Sequence, residues 1–362
     1  MADIGIFTIV ALDNFGALLQ GYALQRKLSD MGQSAELVDL RNSEQSDCRI
    51  FVKVRSPLDI LRNTRQLLNY KKTKKRFDLF NKFVDENIVL SENYNTEDSL
   101  EFMPYKLLMT GSDQTFNIKL PVFKEEYYLG FEKNIPKVSY ASSFGEFCSS
   151  FTDAEKSKIK EWLSDYRYIG IREEQGVEFA KEITGREDIV RNVDPTLLLS
   201  RNEWEELAVG DNNYGDYIAF YSVLSDKWVV DEVQRIAKEL NMRVIALHMC
   251  NQFEIGAGFE RVSAGPGEFL SIIKNAKLVL TTSFHASVFA ITFHKPFYSF
   301  ILEEGNRIRN LLNMTGLQDR LIASVGKMVS VDEVDFSEAD KKIKNEREKS
   351  IEYLEKVIKL ID

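Results

Sequence analysis

The chain has three histidines, and one of them, His285, stands in "TTSFHASVFAITFHKPF", immediately past an apolar run of strand length. An imidazole titrates near neutrality, so one held at the mouth of a sheet can both give and take a proton. Small hydroxyl residues flank it and leave room for a compact anion. The competing reading is a hydrogen-bonded histidine buried in the first turn of an apolar helix. His248, inside a strand-like run, and His294, at a helix end beside Lys295, read as structural.

Other chemistries lack their residues. There is no G-x-S-x-G elbow for a serine nucleophile, no H-E-x-x-H or Cys/His spacing for a metal, and no Walker sequence for a nucleotide phosphate. Cys48, Cys148 and Cys250 are far apart and unpaired in spacing, which predicts reduced thiols, a cytoplasmic location and no metal cluster. A net charge of −9 argues against a general nucleic-acid binder. It also requires that any anionic ligand meet a local positive pocket. What remains is a histidine, several arginines and small hydroxyls, a set suited to acid–base work on an anionic, phosphate-bearing substrate.

These residues need elements to position them. At 362 residues the chain is too long for one ordinary core, and 44% hydrophobic and 11% aromatic residues suffice for well-packed layers. No run reaches the roughly 18 apolar residues of a membrane span, and "IGIFTI" reads as a first strand rather than as part of a leader. Ala17, Gly21, Leu24, Leu28 and Met31 recur at helical spacing between "IGIFTI" and "SAELVDL", predicting a strand–helix–strand unit whose helix ends near Gly32. A long polar helix is expected from Ser56, with Pro57 at its first position, to about Asn87. Its basic stretch Lys71–Arg76 is either a solvated face or a contact with an anionic membrane surface or lipid-linked phosphate.

Apolar runs and turns then alternate through "YKLLMTGSDQTFN", "KVSYASSFG", "YIGIREEQG" and "IVRNVDPTLLL", and a polar stretch, Val209–Asp216, suggests a boundary. A second alternation follows: strands in "YIAFYSV", "RVIALHM", "KLVLTT" and "PFYSFIL", with helices over 226–240, 266–276 and 284–293. The expectation is an α/β protein of two Rossmann-like domains facing a cleft, over 1–208 and 209–335, with a C-terminal helix over 336–362.

In open parallel sheets ligands bind beyond the carboxyl ends of the strands, which filters the polar residues. Asn14 and Gly16 follow the first strand; Ser112, Asp113 and Gln114 follow "KLLMT"; Ser143 follows "KVSYA"; Arg172 follows "YIGI"; Ser283, Phe284 and His285 follow "KLVLTT". Asp113 and Gln114 could instead close a turn, and Arg172 could pair with Glu173 and Glu174 at the surface.

The segments "NFGALLQGYALQRKL", "TGSDQTFN", "VSYASSFG", "GIREEQG", "VDPTLLL" and "TTSFHASVFAITFHKPF" resemble, in this order, the motifs of the polysaccharide pyruvyl transferase family, a likeness that runs from about residue 12 to about residue 320. The resemblance implies a GT-B-like fold and transfer of the pyruvyl group of phosphoenolpyruvate to two hydroxyls of a sugar as a cyclic ketal, without a bound cofactor. Two positions depart from it. Ala286 follows His285 where many members have glycine, and Ser283 stands where some carry an arginine, so Arg307 or Arg309 would have to supply that charge. On this reading His285 is the acid/base, Asp113 a base for the attacking hydroxyl, and Arg172 the first choice for gripping the donor. Arg307, Ser283 and the amide of Phe284 assist Arg172; Asn14, Asp113 and Gln114 hold the acceptor, and Gly16, Ser112 and Ser143 are further substrate-binding residues. The expected partners are phosphoenolpyruvate and a sugar acceptor, either free or lipid-linked, and the membrane-facing reading of Lys71–Arg76 implies a peripheral contact at the inner face of the membrane. The alternatives are a glycosyltransferase with a nucleotide-sugar donor and a non-catalytic sugar-binding relative.

Overall fold

The computed structural model describes residues 2–10, 14–41, 63–64, 67, 70–94, 104–132, 134–145, 150–210, 214–222, 226–247, 259–301 and 306–361. The helix start at Ser56 and Pro57, His248, the three cysteines and residues 211–213 lie outside the described residues.

The first half is built on strands β1 (Ile4–Phe7), β2 (Ala35–Asp39), β3 (Leu90–Asn93), β4 (Leu107–Thr110), β5 (Lys137–Ser142), β6 (Tyr166–Ile171) and β7 (Val190–Arg191). They form one parallel sheet in the order β3-β2-β1-β4-β5-β6-β7. The second half uses β8 (Tyr217–Tyr221), β9 (Arg243–Leu247), β10 (Phe259–Val262), β11 (Leu278–Thr281), β12 (Phe297–Phe300) and β13 (Leu321–Ile322) in the parallel order β10-β9-β8-β11-β12-β13. In both sheets the order reverses beside the first strand, so each half has a switch point, β1/β4 and β8/β11, where a doubly wound sheet opens a crevice.

The helices relevant to the site are α1 (Phe15–Asp30), α2 (Tyr70–Asn87), α3 (Asp153–Leu163), α4 (Glu174–Thr184), α5 (Arg201–Leu207), α6 (Lys227–Glu239), α7 (Pro266–Asn275), α8 (Phe284–Thr292), α9 (Asn306–Thr315) and α10 (Ser337–Ile358). α1 stops where the sequence places its end: Gly32 takes φ +83°, a left-handed conformation that costs glycine nothing. One apolar cluster runs without a break from Ile4, Leu18 and Val138 to Tyr217, Phe269 and Phe289, so the inner faces of the two halves share a core. The outer faces keep separate clusters, around Phe116 and Ile169 in the first half and around Ile218 and Leu280 in the second. At the seam Phe15 stacks on Phe269 with ring centres 4.5 Å apart and meets Tyr221 edge-on at 5.4 Å.

The basic stretch on α2 is divided. Lys71, Lys72, Lys74 and Lys75 are exposed, and Lys74 pairs with Asp78 at 2.8 Å. Arg76 instead points inward, 1% exposed, its guanidinium carbon 5.3 Å from the Phe15 ring centre and 5.2 Å from that of Phe80. The reading of Lys71–Arg76 as one solvated or membrane-facing stripe therefore fails at Arg76. Buried Thr73, Arg76, Phe80, Phe83 and Val84 recur at helical spacing and form the inner face of α2.

α10 ends the chain by returning to the first sheet, where the Tyr353 hydroxyl donates to the Ser139 carbonyl on β5 at 2.6 Å. No described helix is long and apolar enough to cross a membrane.

Candidate functional site

Side chains from both halves converge on Asp194. This carboxylate follows β7, and Pro195 directly after it opens a short 3-10 turn. Its Oδ1 accepts from the Thr196 amide at 3.0 Å and the Thr196 hydroxyl at 2.7 Å, an N-cap arrangement that fixes the side chain. Its Oδ2 is then free to face the crevice. There it accepts from Arg172 Nη1 at 2.9 Å and Ser112 Oγ at 3.4 Å, and lies 3.5 Å from His285 Nε2. Burial opposes ionisation of Asp194, but His285, Arg172 and Thr196 outweigh it and hold the carboxyl well below the usual range.

Arg172 leaves the end of β6 and is buried, not a surface ion pair. Nε donates to Glu173 Oε1 at 2.7 Å, and the guanidinium carbon lies 5.0 Å from the Phe284 ring centre. Burial works against its charge, yet Glu173, Asp194 and Asp113 together raise its affinity for the proton above the ordinary value. The site thus holds a permanent cation, but one already set against carboxylates rather than a surplus of positive charge.

His285 comes from the other half, in the first turn of α8, where Ser283 caps the helix by accepting from the Ala286 amide at 3.4 Å. One face of its ring rests on α1: a Cβ added to Gly16 would stand 2.0 Å from His285 Nδ1. Phe284 meets the ring edge-on at 5.2 Å. Arg172 Nη2, Glu173 Oε2 and His285 Nε2 are buried without a hydrogen-bond partner among the described residues. Buried polar atoms without a protein partner cost stability unless water or a ligand meets them.

The structure gathers Arg172, His285, Phe284, Gly16 and Ser112 around Asp194. Asp113 belongs through its field on Arg172; it takes φ +71°, and its Oδ1 accepts from the Gln114 amide at 2.9 Å. Gln114 and Ser143 serve the loop itself: Gln114 Oε1 accepts from Asn117 Nδ2, and Ser143 Oγ accepts from the Gly145 amide. Asn14 caps α1 by accepting from the amides of Gly16 and Ala17. Arg307 is half-buried, one turn from Asn310, whose amide donates to Gln175 Oε1 at 3.4 Å; Arg309 is exposed. His294 is structural, stacked on Phe336 and 3.0 Å from Asp340. Sequence reasoning missed Asp194 and gave Glu173 only a surface role. The available signal was "VDPTLLL", an aspartate preceding a proline past a strand end. Among the described residues no cluster of acidic, histidine or cysteine side chains could hold a metal ion.

A family model described as polysaccharide pyruvyl transferase matches residues 14–303. No curated protein matches the chain in sequence. Among solved structures, UDP-N-acetylglucosamine 2-epimerase from Rickettsia bellii superposes with a TM-score of 0.54 at 12% identity, covering 100% of this chain and 97% of that one. UDP-GlcNAc 2-epimerase from Neisseria meningitidis, bound to UDP-GlcNAc, gives 0.50 at 9% identity, covering 94% and 98%. These likenesses concern the fold, a GT-B-like pair of Rossmann-like domains.

Proposed function

The chain belongs to the polysaccharide pyruvyl transferase family, and we propose that it moves the pyruvyl group of phosphoenolpyruvate onto two hydroxyls of a sugar residue in exopolysaccharide, capsule or cell-wall polysaccharide biosynthesis. The observation that carries this reading is the buried Arg172–Asp194–His285 constellation, which joins a permanent cation to an acid–base group across the seam. Phosphoenolpyruvate is the co-substrate and no cofactor takes part. The acceptor is a glycan.

In the proposed reaction the donor lies between the halves, its carboxylate or phosphate on Arg172 Nη2 and on the amides that open α8. Asp194 Oδ2, 3.5 Å from Nε2, orients the His285 ring. His285 gives a proton to the donor's methylene carbon, while a sugar hydroxyl adds to the adjacent carbon and loses its proton to Asp113. The product of this step is a tetrahedral phospho-ketal. A second hydroxyl then attacks the same carbon; its carbon–oxygen bond forms as the bond to phosphate breaks. The hydroxyl proton passes to His285, which is thereby restored, and phosphate departs carrying the proton that Asp113 held. Residues 1–208 present the acceptor, and 209–335 supply His285.

A positioned acid or base contributes roughly 10²–10⁴-fold. His285→Gln should therefore fold as the wild type does and lose at least about 10²-fold in phosphate release from phosphoenolpyruvate across a panel of lipid-linked, nucleotide-linked and free glycans. A folded His285→Gln protein with normal turnover would remove His285 from the chemistry.

A further inference from the structure

The segment that carries Asp194 has little support from its own strand. β7 is two residues long and forms the sheet edge, and beyond it the chain keeps one ladder-like bond, from the Asn192 amide to the Ile171 carbonyl at 2.8 Å. Trp204 Nε1 donates to the Thr196 carbonyl at 3.0 Å, and a further set of bonds comes from the far end of the sequence. The Val193 amide donates to Ser350 Oγ on α10 at 3.0 Å, in a buried contact spanning 157 residues. Arg347, one turn earlier, donates through Nε to the Leu197 carbonyl at 2.5 Å and through Nη2 to the Leu199 carbonyl at 3.2 Å. Glu346 pairs with Arg191.

α10 therefore grips the chain on both sides of Asp194, one residue before it and three after. Ser350 is 1% exposed, and its hydroxyl also donates to the Glu346 carbonyl at 3.0 Å, so both of its hydrogen-bonding roles are used. Packing alone would be served by alanine, a better helix former. We propose that α10 is a clamp that sets the Asp194 carboxylate against Arg172 and His285, with Ser350 and Arg347 as positioning residues for pyruvyl transfer. This rests on the functional reading given above for Asp194, Arg172 and His285. The clamp lies beyond the residues matched by the family model, which end at 303, so the site is completed by a helix outside that segment.

His285 is faced by Asp194 from the β7 loop, by Gly16 at the start of α1 and by Phe284 of its own helix. Arg172 acts on it through Asp194, with Glu173 and Asp113 set against Arg172. A retreat of Asp194 thus changes the carboxylate that lies 3.5 Å from Nε2.

The test compares full-length wild type, Ser350→Ala, Ser350→Thr and Arg347→Lys. At neutral pH, nitrogen NMR of histidine-labelled protein reads the ring of His285, assigned through His285→Gln; phosphate release from phosphoenolpyruvate gives kcat and KM. The clamp predicts that Ser350→Ala shifts the His285 Nε2 resonance and lowers kcat about tenfold or more, well below the melting temperature. Ser350→Thr, which keeps the hydroxyl, restores both, and Arg347→Lys reproduces the resonance shift if Ser350→Ala does not fold. An unchanged His285 resonance and kcat in Ser350→Ala, with only the melting temperature lowered, would overturn the clamp. If the wild type itself releases no phosphate from phosphoenolpyruvate, the functional reading fails, and the resonance still decides whether α10 positions the site.

Discussion

Gly16 offers the sharpest perturbation, because its glycine is demanded by a neighbour and not by its own backbone. Gly16 lies in the first turn of α1 and is absent from the glycines with positive φ, so alanine fits the local conformation. The obstacle is His285, whose Nδ1, Cγ and Cε1 would lie 2.0, 2.5 and 2.8 Å from an added Cβ. Ordinary contact begins at 3.4 Å, so the ring must recoil by about 1.4 Å, and a misplacement of about 1 Å can cost roughly 10²-fold in rate. Overpacking costs about 1–3 kcal/mol, offset by up to about 1 kcal/mol from the better helix propensity of alanine. Gly16→Ala should therefore lose no more than about 2 kcal/mol in urea denaturation, yet lose about 10²-fold or more in kcat for phosphate release. Gly21 is the control on the same helix. Its Cβ would first meet the end of the Leu37 side chain at 3.0 Å, which can turn away, so Gly21→Ala should keep near-normal turnover. Wild-type turnover in Gly16→Ala would refute the idea that His285 acts from its seat against α1.

Two further outcomes follow from Asp194. Asp194→Asn keeps the Thr196 cap but leaves Arg172 with one carboxylate fewer, so denaturation should show a loss of about 3 kcal/mol, the lower end for breaking a buried pair, together with at least about 10²-fold in kcat. The folded-state pKa of Asp194 is depressed, so its contribution is present above the ordinary carboxylate pKa of about 3.9 and is lost as pH falls below that toward the folded value. Below about pH 4 the wild type should lose up to about 1.4 kcal/mol more per pH unit than Asp194→Asn; parallel pH–stability curves would mean that Asp194 is not charged in the folded protein.

The central strands were legible because a parallel strand covered on both faces must be continuously apolar, as in "IGIF", "KLLMT" and "KLVLTT". The edge strands β3, β10 and β13 were not, because a half-covered edge such as "LSEN" or "FERV" tolerates polar residues and can be short. The strand-end rule selects His285 and Arg172 for the same reason that it passes over Asp194. It points to residues after apolar runs, whereas Asp194 follows a two-residue strand and reads as a cap for Pro195 and Thr196. Its second oxygen meets Arg172, 22 positions earlier at the end of the neighbouring strand β6, and His285 from the other half of the chain. Arg76 escaped because a basic run reads as solvated until its helical phase is counted against Phe80 and Phe83.

The most direct test of the account is the change in thermal stability when phosphoenolpyruvate or a nucleotide-sugar is added to the wild type and to Arg172→Lys. A ligand at about 100 times its dissociation constant stabilises by about 2.7 kcal/mol. The account predicts stabilisation of the wild type by phosphoenolpyruvate, much less in Arg172→Lys, whose ammonium lacks the planar fork, and none by nucleotide-sugars. Stabilisation by a nucleotide-sugar with none by phosphoenolpyruvate would contradict it.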